Sequence, residues 1–219
     1  MIKDNNRDRF VLSKGHAAPA LYSVLAKKGY FPWKDLKTLR HIGSHLQGHP
    51  CLSHTPGIDM ATGSLGQGIS SAVGMALAAK YKNLDTRVYV LCGDGECQEG
   101  QVWEALMFAA HYKLDNLCVI IDNNNLQIDG RVNDVMNIYP LDKKLESFNF
   151  HVEKIDGHDF YSIGSALKKA HTVKEKPTCI IAKTIKGKGI SFMEDRACWH
   201  GKAPNDEEYV QALQELEAC

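Results

Sequence analysis

The sequence predicts a doubly wound α/β domain, a mostly parallel sheet with helices on both faces. Three observations carry that reading. Residues 87–92 (RVYVLC) and 117–121 (LCVII) are short apolar, β-branched runs of the kind that fill strands buried on both sides. Between them, residues 100–113 place Val102, Ala105, Leu106 and Ala109 at helical spacing. Each run stops abruptly, the first at Gly93-Asp94-Gly95 and the second at Asp122-Asn123-Asn124-Asn125. Strand, helix, strand is a βαβ unit, and its right-handed crossover brings both strand ends to one side of the sheet.

The other elements follow in order. Residues 1–8 are charged and are expected to fray. Residues 10–16 (FVLSKGH) read as a short strand running into a glycine turn, and residues 17–28 as a helix closed by Gly29. His16 at that strand end has two readings, a ligand contact or a helix-start histidine with only a local bond. Residues 35–43 read as a second, short helix. Residues 40–54 hold four histidines, His41, His45, His49 and His54. Such spacing could stack imidazoles for zinc, but Gly43, Gly48 and Pro50 oppose a continuous helix. No carboxylate or cysteine completes a known zinc spacing.

Residues 62–68 (TGSLGQG) lead into a helix to about Lys82, with Leu65, Ile69, Val73, Ala76 and Leu77 as its apolar stripe and Ser64 as candidate N-cap. Gly66, Gly68, Ser71 and Gly74 imply a close approach to this helix, by a packed neighbour or by a ligand. Beyond the central unit, residues 149–155 read as a strand, 160–173 as a helix and 178–182 (TCIIA) as the last buried strand. The following loop, KTIKGKG at 183–189, either holds an anion or is simply solvated. From Pro204 onward the chain reads as a polar helix capped by Asn205 or Asp206.

Composition narrows the class. A chain of 219 residues can bury a core and most simply forms one domain, residues 1–219. Lys plus Arg equals Asp plus Glu at 26 each, so no basic field points to nucleic acid or an anionic membrane. No apolar run approaches the ~20 residues of a membrane span. Residues 1–9 are polar, unlike a signal peptide. Seven cysteines, an odd number with no C-x-x-C pair, argue against a disulfide framework. A reduced, cytoplasmic protein is expected.

The chemistry gathers at the strand ends. Asp94 and Asn124, 30 positions apart, are expected to meet at the carboxyl edge of neighbouring strands, where ligands of open α/β sheets bind. A carboxylate, an amide oxygen and a free backbone carbonyl are hard ligands, suited to Mg²⁺ or Ca²⁺ that also holds a phosphate. No G-x-G-x-x-G follows the strand, so a dinucleotide fingerprint is excluded.

GDG followed about thirty residues later by NN resembles the thiamine-diphosphate-binding motif, and GDGECQEGQVWEA with DNNNLQIDG resembles transketolases. The resemblance runs from RDRFVLSKGHAAPALY to KGKGISFMEDRACWHGKAPNDEEY, nearly the whole chain. It implies thiamine diphosphate as cofactor with Mg²⁺, or Ca²⁺ or Mn²⁺ in its place. Asp94 and Asn124 would bind the metal by side chains and Leu126 by its carbonyl. Gly93 and Gly95 would flank the diphosphate, with His200 beside it, and Gly63 and Leu65 would face the aminopyrimidine and thiazolium. His16, His49 and His200 would handle the sugar by hydrogen bonding or proton transfer. Glu99 would lie at an interface between subunits, although by itself it reads as a first-turn glutamate favoured by the helix dipole. The implied reaction passes a two-carbon ketol unit from a ketose phosphate to an aldose phosphate, as in the pentose phosphate pathway.

Two departures from the family pattern shape the expectation. Full-length transketolases continue into a pyrimidine-binding domain carrying the glutamate that activates the cofactor and arginines that bind the substrate phosphate, whereas this sequence stops at Cys219. The family also opens with a helical segment bearing a GHPG histidine, whereas here Met1 lies just ahead of RDRF. The expectation is the first subunit of a split transketolase, lacking that segment. Its partner would be a C-terminal subunit with the pyrimidine domain, the chain forming a homodimer alone or a heterotetramer with that partner. The alternatives are another thiamine-diphosphate enzyme, such as deoxyxylulose-phosphate synthase or a 2-oxoacid dehydrogenase component, and a non-catalytic cofactor-binding module. WHGKAP favours the transketolase reading.

Overall fold

The computed structural model describes residues 6–218, and the fraying expected of residues 1–5 lies outside them. In chain order the elements are β1 (Arg9–Leu12), α1 (Ala18–Lys27), α2 (Gln67–Tyr81), β2 (Val88–Gly93), α3 (Gly100–His111), β3 (Leu117–Asn123), β4 (Leu126–Gln127), β5 (Gly130–Arg131), α4 (Val132–Val135), α5 (Leu141–Ser147), β6 (His151–Asp156), α6 (Phe160–Thr172), β7 (Thr178–Lys183) and α7 (Asp206–Glu217). The main sheet has five strands in the order β1-β2-β3-β7-β6, all paired in parallel. Its strands therefore all end at one edge. A small antiparallel ribbon, β4 with β5, sits beyond β3.

Alternation along each strand sorts residues between the two faces. On one face Val11, Val88, Val90, Val119 and Ile121 pack in a single core with Ile69 and Val73 of α2 and Val102 and Leu106 of α3. On the other, Cys118 and Ile180 pack with Ala166 and Ala170 of α6. That second face is less filled. Leu12, Tyr89 and Leu91 share a cavity of about 430 Å³ with Leu21 and Val24 of α1. The α1 helix has its own cluster with Phe31, Leu46 and Ile58.

Four expectations need correction or completion. Residues 7 and 8 are anchored where fraying was expected: Arg7 pairs with Asp59, and the Arg87 N–H donates to the Asp8 carboxylate at 2.9 Å. The helix expected at residues 35–43 is a 3-10 turn, Trp33–Thr38, because Arg40 (φ 62°) and Gly43 (φ 80°) are left-handed and cannot continue a helix. Ser64 is not the cap of α2, which starts after a left-handed Gly66 whose N–H donates to the Glu96 carboxyl. The β4–β5 ribbon, α4 and α5 were not foreseen, being too short to carry an apolar period. At the far end Asn205 caps α7 in a full capping box with Glu208, one of the two candidates read from sequence.

Candidate functional site

Sheet register builds the site. Leu12 lies opposite Leu91, Gly93 opposite Asp122 and Asn123 opposite Lys183. The segments that leave these strands therefore share one edge, and Asp94 stands at its centre. Only 1 % of Asp94 is exposed. Its Oδ1 accepts from Gly95 N at 2.8 Å, and its Oδ2 accepts from Asn123 Nδ2 at 3.0 Å, from the Asn125 N–H and from the Tyr139 hydroxyl at 3.4 Å. All of these donors are neutral, and among the described residues Asp94 forms no ion pair. Burial pushes its carboxyl above the usual carboxylate range, outweighing the bonds from Asn123, Asn125 and Gly95. Gly95 is required by close approach, since a Cβ there would lie 2.9 Å from Gln127 Cβ.

Asn124 stands in the same turn, and its Oδ1 accepts from Leu126 N at 2.9 Å. It lines a cavity of about 410 Å³ together with Lys14, Asp122, Thr184 and Lys186. Leu126 is buried, 7 % exposed, at the start of the ribbon. The side chain bonded to Asp94 is that of Asn123.

The neighbouring half of the edge is cationic. Lys14 donates to Asp122 Oδ2 at 2.6 Å, and Thr184 donates to the other oxygen. Burial raises the Asp122 carboxyl, but the Lys14 ammonium and these bonds win and hold it below the usual range. Lys186 is half-buried, and its pKa is lowered by burial and then by Lys14. The rings of His16 and His200 lie 4.9 Å apart, tilted by 32°. Burial, then Lys14 and His200, lowers the His16 pKa to about 4. Burial, then Lys186 and Lys14, lowers that of His200. His200 Nδ1 is buried with no hydrogen-bond partner.

His49 stands near that pair, and its charge adds to the lowering of the His16 pKa. Its ring atoms come within 3.1 Å of where a Cβ on Gly63 (φ 155°) would stand, and its carbonyl accepts from the Tyr22 hydroxyl at 3.0 Å. Leu65 is half-buried in the same loop, and Glu99 is exposed at the N-cap of α3. The remaining histidines take local partners: His45 with Asp35 at 3.2 Å and His54 with Cys51 at 2.9 Å, while His41 is exposed. Among the described residues no three His, Cys, Asp or Glu could hold a metal ion, so a metal reading rests on Asp94 with neutral oxygens.

Several site residues escaped the sequence reading. Lys14 and Glu96 lie inside quoted motifs, SKGH and GDGE, and Asn123 adjoins Asn124, so their signal was present and unused. In the KTIKGKG loop the lysines differ: Lys186 is half-buried and lines the cavity, whereas Lys183 and Lys188 are exposed. Tyr139 had no signal, since nothing local marks a hydroxyl that reaches Asp94 from 45 positions away.

The residues present fit a metal-bound diphosphate. A buried carboxylate without a cation sits beside an amide oxygen, and two lysines line the adjoining cavity. Such a donor set suits a hard divalent cation on one side and an anion on the other. Among the described residues no helix is long and apolar enough to cross a membrane.

Comparison with known proteins is consistent with this geometry. Residues 3–217 match the family described as transketolase, thiamine diphosphate binding domain. The 6-deoxy-6-sulfo-D-fructose transketolase subunit SqwG of Clostridium sp. (strain MSTE9) is 48% identical over 211 residues, covering 96% of this chain and 77% of that protein. An apulose-4-phosphate transketolase subunit of Actinobacillus succinogenes is 46% identical over 210 residues, covering 96% and 76%. The crystal structure of transketolase from Campylobacter jejuni superposes with a TM-score of 0.92 at 40% identity, covering 97% of this chain but 34% of that one. The chain thus spans about a third of that full-length enzyme and about three quarters of the two subunits.

Proposed function

The chain belongs to the transketolase family, as its thiamine-diphosphate-binding domain, and we propose that it is the diphosphate-binding subunit of a two-chain transketolase. The observation that carries this reading is Asp94, a buried carboxylate with only neutral donors, set beside a lysine–histidine cluster. Asp94 and Asn124 would hold Mg²⁺ by side-chain oxygens and Leu126 by its carbonyl, with Ca²⁺ or Mn²⁺ able to take the same oxygen set. Gly93 and Gly95 keep that turn open, Lys14 and Lys186 neutralise the diphosphate, and Gly63 and Leu65 support the rings. When bound, thiamine diphosphate would supply a nucleophilic thiazolium ylide and an electron sink for the negative charge left on the two-carbon fragment. His16 and His200 are held neutral at neutral pH, so each can donate or accept one hydrogen bond to a sugar hydroxyl, and His49 offers a third imidazole.

The substrate class is a ketose with an anionic end, passing its ketol unit to an aldose phosphate. Ketose phosphates of the pentose phosphate pathway are one form of that class. The two subunit relatives are named for a sulfonated deoxyfructose and for apulose 4-phosphate. The partner is a cytoplasmic C-terminal subunit with the pyrimidine-binding domain, meeting this chain where Glu99 is exposed. Both subunit relatives are likewise named as parts of a larger enzyme.

The test is calorimetric titration of thiamine diphosphate plus Mg²⁺, with Asp94→Ala as control, followed by a ketol-transfer assay with and without the partner chain. Metal-dependent binding lost in the variant, and turnover only with both chains, is the expected result. Binding that ignores both metal and Asp94 would sink the assignment.

A further inference from the structure

Glu96 follows Asp94 by two positions, on the 3-10 turn Gly95–Gln98, and only 2 % of it is exposed. Its Oε1 accepts from the Ser13 hydroxyl at 2.6 Å and from Gly66 N at 2.8 Å. Its Oε2 accepts from Gly93 N at 3.2 Å. Ser13, fully buried, passes the connection on, its Oγ accepting from Ile69 N at 3.1 Å in the first turn of α2. The packing leaves no slack at this point. A Cβ on Gly68 would stand 2.6 Å from Ser13 Oγ, and one on Gly15 would stand 2.8 Å from Thr62 Oγ1.

One carboxyl therefore joins three segments far apart in sequence. They are the end of β1 that bears Lys14 and His16, the loop that bears Gly63 and Leu65, and the turn that bears Asp94. The contacts span 83 and 30 positions, so no local preference holds them. The carboxyl also does for α2 what Ser64 does not, meeting an N–H of its entry turn.

We propose that Glu96 is a positioning residue that sets the Gly63–Leu65 loop against the Asp94 turn, so that the ring contacts and the metal–diphosphate contacts of thiamine diphosphate form together. This rests on the reading of those two segments as the cofactor site. Glu96 itself touches no cofactor atom; it acts through Gly66 and Gly93.

The test compares three variants of the full chain. Glu96→Gln keeps the size but replaces an acceptor oxygen with an N–H₂ donor, which must meet one of the buried donors head on. Ser13→Ala removes one donor and covers the case in which Glu96→Gln does not fold. Leu145→Ala, fully buried in α5, is a destabilised control. Thiamine diphosphate is titrated calorimetrically at saturating Mg²⁺, and amide hydrogen exchange is read at Gly66 and Gly93. Glu96→Gln is expected to weaken binding roughly 10- to 100-fold, as outer-shell partners do, with Ser13→Ala weaker in the same sense. Leu145→Ala should lower Tm and leave affinity unchanged. Unchanged affinity in a folded Glu96→Gln, or an equal loss in Leu145→Ala, overturns the proposal. Should the unmodified chain bind no cofactor, the functional reading fails, yet the exchange data still decide: retained protection at Gly66 or Gly93 in Glu96→Gln overturns the positioning role.

Discussion

The carboxyl edge of the sheet has two halves of opposite character. At the ends of β2 and β3, Asp94 is buried among neutral donors and its carboxyl is pushed up. Next to it, around the ends of β1 and β7, Lys186, His16 and His200 are all pushed down, by burial first and then by neighbouring cations that include Lys14 in each case. Each half is biased toward losing its charge. The remedies differ: a cation relieves the first and an anion the second. Asp122 shows what relief looks like, since the Lys14 ammonium holds its carboxyl below the usual range despite burial. A divalent metal carrying a diphosphate would supply both remedies at once, and ligand binding of this kind stabilises the folded chain by mass action.

The contrast can be broken at several points. The largest effect is expected from Asp94→Ala, which should weaken metal-dependent binding of thiamine diphosphate on the order of 100-fold or more in calorimetry, above the usual cost of an outer-shell loss. Metal-dependent binding that survives this change would dissolve the acidic half. Lys186→Ala should weaken the same titration about tenfold, the scale of one charge-assisted bond, and flatten its dependence on salt. An unchanged salt slope would make Lys186 a bystander.

His16 gives a pH test with a definite sign. Its folded pKa, about 4, lies below the 6.5 of the free side chain. Between those values the unfolded chain takes up the proton and the folded chain does not. Its contribution to stability is therefore intact above pH 6.5 and lost as pH falls toward 4. NMR titration should show His16 neutral through this window, and His16→Asn should flatten the fall of Tm there. Titration near the ordinary value would remove the crowding from the basic half. Inorganic pyrophosphate, by adding negative charge, should raise the His16 pKa. The smallest effect belongs to Asn205→Ala, which breaks the capping box of α7. It should cost about 1 kcal/mol in denaturant unfolding and leave the titrations untouched, which locates the other effects at the sheet edge.

Much of this molecule was legible in one dimension because its signals are local. The apolar runs of β2, β3 and β7 and the helical period of α3 need only neighbouring residues to be read. Glycines that interrupt a buried run mark where a strand ends, and so Asp94 was found at a strand's carboxyl end before any contact was known. The same holds for Asn205, whose capping partner Glu208 is three positions away.

Other features could be settled only by folding. Ser64 looks like a cap, yet α2 begins after Gly66, where Glu96 and Ser13, from segments just beyond β2 and β1, meet the N–H groups of Gly66 and Ile69. Which asparagines reach Asp94 is decided by the fold, Asn123 through its side chain and Asn125 through its N–H. The lysines of KTIKGKG differ only in which one the edge of the sheet half-buries. Local sequence sets period, caps and chain reversals, because those energies fall within a few residues. Charge balance and hydrogen-bond pairing at the site depend on strand order and register, which join residues far apart in sequence, as in the Lys14–Asp122 pair, 108 positions apart.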